Sequence, residues 1–370
     1  MGRRLTVVQL LPALDAGGVE RSTLEIAEAL VQAGHRAIVV SAGGRLVAPL
    51  QALGGEHVTF DIGRKSLLSL RRVPALRRMF AQVDADIVHA RSRLPAWLAS
   101  FALRGMRGAR KPRFVTTVHG LNSPSRYSAV MASGERVICV SRTVRNHVLQ
   151  HYPQVDPAAL QVIERGIDPA AFPRADHPDT AARSAVASLH PQLSGSGPLL
   201  LLPGRGTRLK GHHDALCMLA TLRASGVDAR LWMPGARQSG RADYVAELER
   251  DAAALNLTDA VAISAPTAAM AQAYAASTVV LQLSRKPEAF GRTVLEALSV
   301  GRPVIGWAHG GVGELLARWL PQGAVAPFDV DALAAATRAL LASPPPLPVT
   351  MPDGLRAMQQ ATLALYEQLA

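Results

Sequence analysis

The sequence has few cysteines and few aromatic residues for a chain of 370 residues. The two cysteines, Cys139 and Cys217, lie far apart in apolar segments, which excludes a secreted disulfide scaffold and predicts buried thiols in a reducing compartment. Aromatic residues make up only 4%, which argues against a nucleic-acid-binding surface built from stacked rings. No stretch approaches the roughly 18 consecutive apolar residues of a membrane helix. We therefore expect a soluble cytoplasmic protein.

Arginine, in contrast, is abundant. The 40 Lys and Arg residues outnumber 28 Asp and Glu by a formal +12, and only four of the 40 are lysines. Residues 1–170 carry nearly all of this excess, whereas residues 171–370 are close to neutral. The imbalance predicts an anionic partner for the first half, which could be a membrane surface, a nucleic acid or an acidic substrate.

Short β-branched or apolar runs alternate with amphipathic stretches along the whole chain. This alternation is typical of βαβ units and a parallel sheet. The predicted strands are 5–10, 37–41, 86–89, 114–118, 137–140 and 161–164, followed by 199–202, 229–233, 261–264, 278–283, 303–306 and 324–326.

A proline-rich segment separates two such series. Residues 169–197 have little periodicity and are predicted to be a linker between a first domain, 1–168, and a second, 198–348. Residues 349–370 contain a final helix, predicted over Asp353–Leu369. The fold class is therefore α/β, with two Rossmann-like βαβ domains facing each other across a cleft, where the strand ends can bind ligands.

Three strand ends in the first domain carry candidate residues. Gly17 and Gly18 open a helix and would let a ligand approach the backbone, although a tight turn without a ligand is equally compatible. His119 follows a strand and would project into the cleft, as a functional or a structural histidine. Glu20 lies in the first turn of the helix that Gly17 and Gly18 open, and Ser141 follows another strand, in position to cap the next helix.

Two stretches of the second domain are more specific. Residues 204–212 place Arg205 and Lys210 in a glycine loop suited to a diphosphate. In residues 287–298, Glu288 lies in a loop and Glu296 about one turn into a helix, whose first N–H groups, at Gly291–Thr293, can face a phosphate or polyol. Glu296 lies among apolar residues, so that it needs hydroxyl partners if it is buried.

Together these motifs resemble the retaining glycosyltransferases of family 4, which have the GT-B fold and include bacterial lipopolysaccharide and cell-envelope enzymes. The resemblance is carried by GGVER at residues 17–21, GRGTRLKGH at 204–212, PEAFGRTVLEAL at 287–298 and GGVGE at 310–314. It spans almost the whole chain. It implies that the C-terminal helix crosses back to the first domain.

The resemblance also implies residue roles. Arg205 and Lys210 would bind the diphosphate of a nucleotide sugar, and Glu296 its ribose. Glu288 would hold the donor sugar, and His119 would touch it near the reacting carbon. The candidates for the acceptor side of the cleft are Glu20, His119 and Ser141. The implied donor-binding set is Gly17, Gly18, Arg205, Lys210, Glu288, Phe290, Gly291, Arg292, Thr293 and Glu296, of which Arg205, Lys210 and Glu288, together with His119, form the implied catalytic set. Arg165 departs from the family pattern, because an asparagine is usual there.

The expected donor is a UDP-sugar or a GDP-sugar, with no cofactor and no metal. Arg205 and Lys210 can stabilise the charge on the departing diphosphate in place of a divalent cation. The pairs Asp84/Asp86 and Asp329/Asp331 match a metal-binding Asp-x-Asp pattern, but a capping role suits both better.

Two basic segments predict contact with an anionic membrane surface. Residues 64–80 combine six cations with a stripe of apolar residues, and residues 104–113 add a second basic cluster. An amphipathic helix with a solvated basic face explains the first segment equally well.

The sequence therefore predicts an enzyme that transfers a sugar from a nucleotide sugar to a lipid-linked, lipopolysaccharide or polysaccharide acceptor in cell-envelope glycan synthesis. The expected location is the cytoplasm or the inner face of the cytoplasmic membrane. Another GT-B activity, such as a nucleotide-sugar epimerase or a phosphorylase, is the alternative. A nicotinamide-dependent oxidoreductase is disfavoured because Gly-x-Gly-x-x-Gly is absent. A nucleic-acid-binding protein would explain the charge, but no recognised binding motif supports it, and we expect no nucleic-acid partner.

Overall fold

The computed structural model describes residues 3–15, 17–64, 66–106, 111–349 and 354–370. The chain divides into two compact units. The first unit is Met1–Gly166 together with Leu355–Ala370, and the second is Ile167–Gly354. Both are α/β units built on parallel sheets, as the alternating pattern predicts.

The first unit contains a seven-stranded parallel sheet with strand order β3-β2-β1-β4-β5-β6-β7 among its described residues. Its strands are β1 (Thr6–Leu10), β2 (Arg36–Ser41), β3 (Glu56–Thr59), β4 (Ile87–Ala90), β5 (Arg113–Val118), β6 (Arg136–Cys139) and β7 (Leu160–Val162). Its helices are α1 (Gly18–Gln32), α2 (Val47–Ala52), α3 (Val73–Gln82), α4 (Arg93–Arg104), α5 (Arg142–His151) and α13 (Leu355–Leu369).

The central strands of this sheet are covered on both faces. In β1, Val7, Val8 and Leu10 are fully buried, as continuous apolar runs in parallel sheets require. Helix α1 turns Ile26 and Leu30 into the same core.

Helix α13 completes that core, although it comes last in the sequence. Met358, Leu365 and Tyr366 are buried in the same cluster as residues of α1. The helix begins at Leu355. Asp353, at which the sequence predicts the helix to begin, lies outside the described residues.

The second unit contains a six-stranded parallel sheet with strand order β10-β9-β8-β11-β12-β13 among its described residues. Its strands are β8 (Leu199–Leu201), β9 (Arg230–Pro234), β10 (Val261–Ser264), β11 (Val279–Gln282), β12 (Val304–Trp307) and β13 (Ala324–Val325). Its helices are α6 (Thr180–Leu189), α7 (His212–Ala224), α8 (Ala242–Ala254), α9 (Met270–Ala276), α10 (Arg292–Ser299), α11 (Gly310–Trp319) and α12 (Val330–Ala342).

Residues 169–197, for which the sequence predicts a linker, instead form part of the second unit. Helix α6 lies within them, and Asp179 caps it by accepting a hydrogen bond from the Ala182 amide at 3.0 Å. The segment is fastened to the unit by backbone hydrogen bonds, such as the one from the Ala175 amide to the Val300 carbonyl at 3.1 Å. Its prolines therefore interrupt the helical pattern without freeing the chain.

None of the helices in the described ranges is both long and apolar enough to cross a membrane.

Candidate active site

The loop that follows β8 brings Lys210 back over the end of the sheet. Residues Arg208–Lys210 form a single 3-10 turn, and Gly211 ends that turn with φ of +73°. A Cβ at Gly211 would fall 2.2 Å from the Leu283 carbonyl oxygen, so that only glycine fits here. This close approach places the 3-10 turn beside the residues that follow β11.

Lys210 and Glu288 meet at the carboxyl end of β11. Lys210 Nζ lies 2.5 Å from Glu288 Oε1 and 3.3 Å from Ser284 Oγ. Ser284 donates its hydroxyl to the same carboxylate, and Gln282 Nε2 lies 3.3 Å from Oε2. Both ionic side chains are about one quarter exposed, at 25% and 26%. The cluster is therefore reachable from solvent and holds one cation and one anion in contact.

Glu296 forms a second cluster one turn into α10. Tyr274 Oη donates to Oε2 at 2.9 Å, and Arg292 Nε donates to Oε1 at 2.8 Å. Burial, with Glu296 beside it, raises the pKa of Tyr274 well above the usual value, so the phenol stays protonated and donates. Thr293 also contacts the Tyr274 oxygen. Glu296 thus has the hydroxyl partner that its burial requires.

The glycine turn before α11 packs directly on the Glu288 loop. The Gly311 amide donates to the Glu288 carbonyl at 2.8 Å. A Cβ at Gly311 would lie 2.4 Å from the Phe290 carbonyl oxygen, which leaves no room for a side chain. Gly291 is the N-cap residue of α10, with φ of +113°. The two turns therefore hold Glu288, Phe290 and the start of α10 in one arrangement.

Arg205 and Arg208, which lie in the same loop as Lys210, differ in their contacts. Arg205 is exposed and forms no ion pair with any residue of the described ranges. Arg208 pairs with Glu247 and lies over the Tyr244 ring, so its charge is directed away from Lys210.

In the first unit, His119 and Arg165 are brought together. Arg165 donates a guanidinium N–H to His119 Nδ1 at 2.8 Å. The same guanidinium lies against the start of α1, because a Cβ at Gly18 would be 2.5 Å from its Nη1 atom. At Gly17, a Cβ would meet the Glu20 carboxylate at 2.6 Å. Of the first-unit candidates, the structure thus groups Gly18 with His119, and Gly17 with Glu20.

Ser141 lies apart from this group, as the N-cap of α5. It is buried, and its hydroxyl accepts a hydrogen bond from the Val144 amide at 3.1 Å. Asp329 likewise caps α12 through the Ala332 amide at 2.8 Å. Asp86 binds the Thr6 amide and pairs with Arg3. Within the described ranges, no three His, Cys, Asp or Glu side chains are grouped to hold a metal ion.

A buried polar network beneath His119 was not predicted. His89 in β4 bonds through Nδ1 to the Tyr366 hydroxyl at 2.6 Å and through Nε2 to Thr117 Oγ1 at 2.7 Å. Arg91, only 4% exposed, donates to Gln9 Oε1 at 2.8 Å. Polar residues inside otherwise apolar strands are the one sequence signal that marks such a network.

Tyr274, Gln282 and Ser284 were missed in the second unit. Gln282 and Ser284 stand at the end of a buried apolar strand, which is a signal for a ligand-facing position. Tyr274 gives no such signal, because its role depends on α9 packing beside α10.

The structure describes most of the first basic segment but only the two ends of the second. Residues 66–82 form a 3-10 turn, Leu67–Arg72, and then α3. Leu68 and Leu70 are 62% and 48% exposed, and Arg71 and Arg78 are exposed in the same segment. Lys65 and residues 107–110, which include Arg107 and Arg110, lie outside the described ranges.

Two family models match consecutive parts of the chain. The one described as Glycosyltransferase Family 4 matches residues 16–171, and the one described as Glycosyl transferases group 1 matches residues 190–353. Fold, motifs and both matches agree: the chain belongs to the family 4 glycosyltransferases with the GT-B fold.

One relative and two solved structures are distant in sequence but cover more than nine-tenths of the chain. Glycogen synthase of Mycobacterium tuberculosis is 25% identical over 92% of this chain and 86% of its own length. The crystal structure of a glycosyltransferase from Rickettsia africae has a TM-score of 0.83 at 26% identity, covering 99% of this chain and 98% of that one. Anabaena Alr3699/HepE, in complex with UDP and glucose, has a TM-score of 0.75 at 20% identity, over 99% and 95% of the two chains.

Proposed function

We propose that this glycosyltransferase moves a sugar from a nucleotide-sugar donor to a lipid-linked, lipopolysaccharide or polysaccharide acceptor, with retention of the anomeric configuration and without a metal. The observation that carries the donor half of the proposal is the contact between Lys210 and Glu288 at the end of β11. It places a cation suited to a diphosphate beside a carboxylate suited to sugar hydroxyls.

The departing diphosphate needs positive charge, because negative charge develops on it as its bond to the anomeric carbon breaks. The new bond forms to an acceptor hydroxyl oxygen, and the hydroxyl proton leaves with the diphosphate. Lys210 and the exposed Arg205 can supply fixed charge for this step. They would take the place of a divalent cation at the diphosphate.

Glu288 is better suited to binding hydroxyls than to attacking the anomeric carbon. Its carboxylate is contacted by Lys210, Ser284 and Gln282, which lowers the nucleophilicity of both oxygens. Glu296, held by Tyr274 and Arg292, would accept hydrogen bonds from the ribose. A uridine donor is favoured because the similar Anabaena protein is in complex with UDP and glucose.

The acceptor half of the proposal depends on charge. The first half of the sequence carries almost the whole excess of +12, and Leu68 and Leu70 are exposed in the same segment as Arg71 and Arg78. An enzyme with such a surface is suited to an anionic glycolipid at the inner face of the cytoplasmic membrane. We propose this face as its location.

Donor binding by two variants tests the function. A thermal-shift screen against UDP-, GDP-, ADP- and CMP-sugars identifies the donor, and calorimetry then measures its affinity for Lys210→Ala and Glu296→Ala. We expect each substitution to weaken binding by about tenfold to a hundredfold, because each removes a charged hydrogen-bonding group. NMR of the product reports its anomeric configuration, and its covalent attachment to an acceptor separates transfer from epimerisation.

Arg208→Ala is the matched control. It removes the same charge from the same 3-10 turn, but its side chain is directed to Glu247, so donor affinity should stay within about threefold. Unchanged affinity in both Lys210→Ala and Glu296→Ala would contradict the proposed donor site. Loss of transfer on addition of EDTA, restored by Mg²⁺, would contradict metal independence.

A further inference from the structure

We propose that Arg165 is a positioning residue that fixes the tautomer of His119, so that His119 presents an N–H donor rather than a base to the substrate. The role of His119 toward substrate rests on the proposed function, whereas the tautomer itself does not. Arg165 stands where the family usually has asparagine, and the sequence motifs assign no role to its side chain.

The geometry of the pair sets the direction of the hydrogen bond. His119 follows β5, and Arg165 follows β7, two strands away in the same sheet. Arg165 lies 2.8 Å from His119 Nδ1. A guanidinium has only donors, so Nδ1 must be the unprotonated nitrogen and the proton of a neutral ring must be on Nε2.

The Nε2–H group is the part of the ring left for a ligand. It is shielded from solvent and has no hydrogen-bond partner within the described ranges. An unsatisfied buried donor costs about 1–3 kcal/mol. A substrate oxygen that accepts this hydrogen bond would recover that cost. The ring cannot accept a proton at Nε2, and its Nδ1 lone pair is engaged by Arg165.

The surroundings keep the ring neutral. Burial lowers the pKa of His119 well below its usual value, and Arg165, Arg91 and His89 lower it further. His89 lies in β4, Arg91 directly follows that strand, and Arg165 follows β7. These two strands lie on either side of β5 and β6 in the sheet. The start of α1, which adds positive partial charge, lies against Arg165. His119 therefore remains a neutral donor at neutral pH.

Gly18 makes the arrangement possible. Its missing Cβ leaves the space for the Arg165 guanidinium. Because the atom that a Cβ would meet is the far end of a flexible side chain, Gly18→Ala should displace Arg165 from His119 at little cost in stability. It provides a second way to break the contact without removing the arginine.

The test uses the full chain with ¹⁵N-labelled histidine. Long-range ¹H–¹⁵N NMR spectra report which ring nitrogen carries the proton, and His119→Gln assigns the signal. In the unsubstituted chain we expect the proton on Nε2 only, with no titration between about pH 5 and 8. In Arg165→Ala and Gly18→Ala we expect exchange between the two tautomers, because Nδ1 loses the donor that keeps it unprotonated. Arg165→Lys, which keeps a charged donor, should restore the original spectrum.

The same variants separate this inference from the proposed function. If His119 donates to substrate through Nε2, kcat of transfer falls in Arg165→Ala as the Nε2–H tautomer is lost, and Arg165→Lys restores it. A change of tautomer without a fall in kcat would leave the tautomer assignment intact and contradict the substrate contact. A proton on Nδ1 in the unsubstituted chain, or the same spectrum in Arg165→Ala, would overturn the inference.

Discussion

Three histidines lie buried among neutral or cationic neighbours, and they make the free energy of unfolding depend on pH in the acid range. His89, His119 and His212 all have a lowered pKa, with burial as the largest cause. For His212, which bonds to the Tyr244 hydroxyl at 3.3 Å, burial lowers the pKa to about 4. An unfolded chain binds a proton at each of these rings near pH 6.5, whereas the folded chain does not.

We expect the free energy of unfolding to fall as the pH drops from about 6.5 to 4, because the unfolded state gains protons first in this window. His212 contributes up to about 3 kcal/mol to the fall. His212→Gln should therefore make the dependence shallower by that amount. Urea unfolding at several pH values measures it. Trp232, Trp307 and Trp319 lie in the second unit, so that tryptophan fluorescence follows mainly this unit.

His177→Gln provides the control for the loss of a histidine, because His177 is exposed in the same unit. It should change the slope less than His212→Gln does. An unchanged slope in His212→Gln would contradict the lowered pKa in the folded state.

At the residue scale, the sequence predicts which side chains matter better than it predicts their partners. Glu296 could be identified as a carboxylate in need of hydroxyl partners because its neighbours in sequence are apolar. Tyr274 could not be identified as that partner, because it lies 22 residues earlier on another helix. Arg165 and His119 are 46 residues apart, and only the order of strands in the sheet brings them together.

At the scale of elements, the second unit depends on close packing between two turns. The turn before α11 contacts the Glu288 loop backbone to backbone, with Gly311 at the closest point. We expect Gly311→Ala to lower the free energy of unfolding by about 1–3 kcal/mol, because a Cβ must push the Phe290 backbone away. Donor affinity should fall with it, since Glu288 belongs to the displaced loop. Chemical unfolding and calorimetry measure the two effects.

Gly226→Ala separates the clash from a general effect of replacing glycine. Gly226 has φ of +87° but faces open space, so that alanine there costs only the backbone strain of about 1 kcal/mol. Donor affinity should not change in this variant. An equal loss of donor affinity in both variants would show that the contact between the turns does not support the site.

The elements that the sequence predicts best are those with strong apolar patterns. The predicted strands are present, with ends shifted by a few residues. Strand β3 was missed because its four residues, Glu56–Thr59, are only partly buried at the edge of the sheet. Helix α6 was missed because prolines flank it on both sides, and only its packing on the second unit shows that the segment is ordered.

At the scale of the whole molecule, the uneven charge predicts selective binding to anionic vesicles. We expect the chain to bind phosphatidylcholine vesicles that contain about a third phosphatidylglycerol and not phosphatidylcholine alone. Each cation near the surface contributes about 1 kcal/mol, so Arg71→Glu with Arg78→Glu should weaken binding by about 30-fold or more. Co-sedimentation measures the partition.

The charge-matched control is Arg241→Glu with Arg250→Glu, two exposed arginines of the second unit. It changes the net charge by the same amount, and vesicle binding should stay within about threefold. If the unsubstituted chain shows no preference for the anionic lipid, the proposed membrane surface is wrong.

The position of α13 bears on how the chain folds while it is being made. Its residues Leu355–Ala370 belong to the first unit, yet they are synthesised after all of Ile167–Gly354. At roughly 5–20 residues per second, translation of the second unit takes about 10–40 s. During that time the first unit lacks Tyr366, and the buried ring of His89 lacks its partner at Nδ1. The second unit, although it starts later, is therefore fully synthesised before the first.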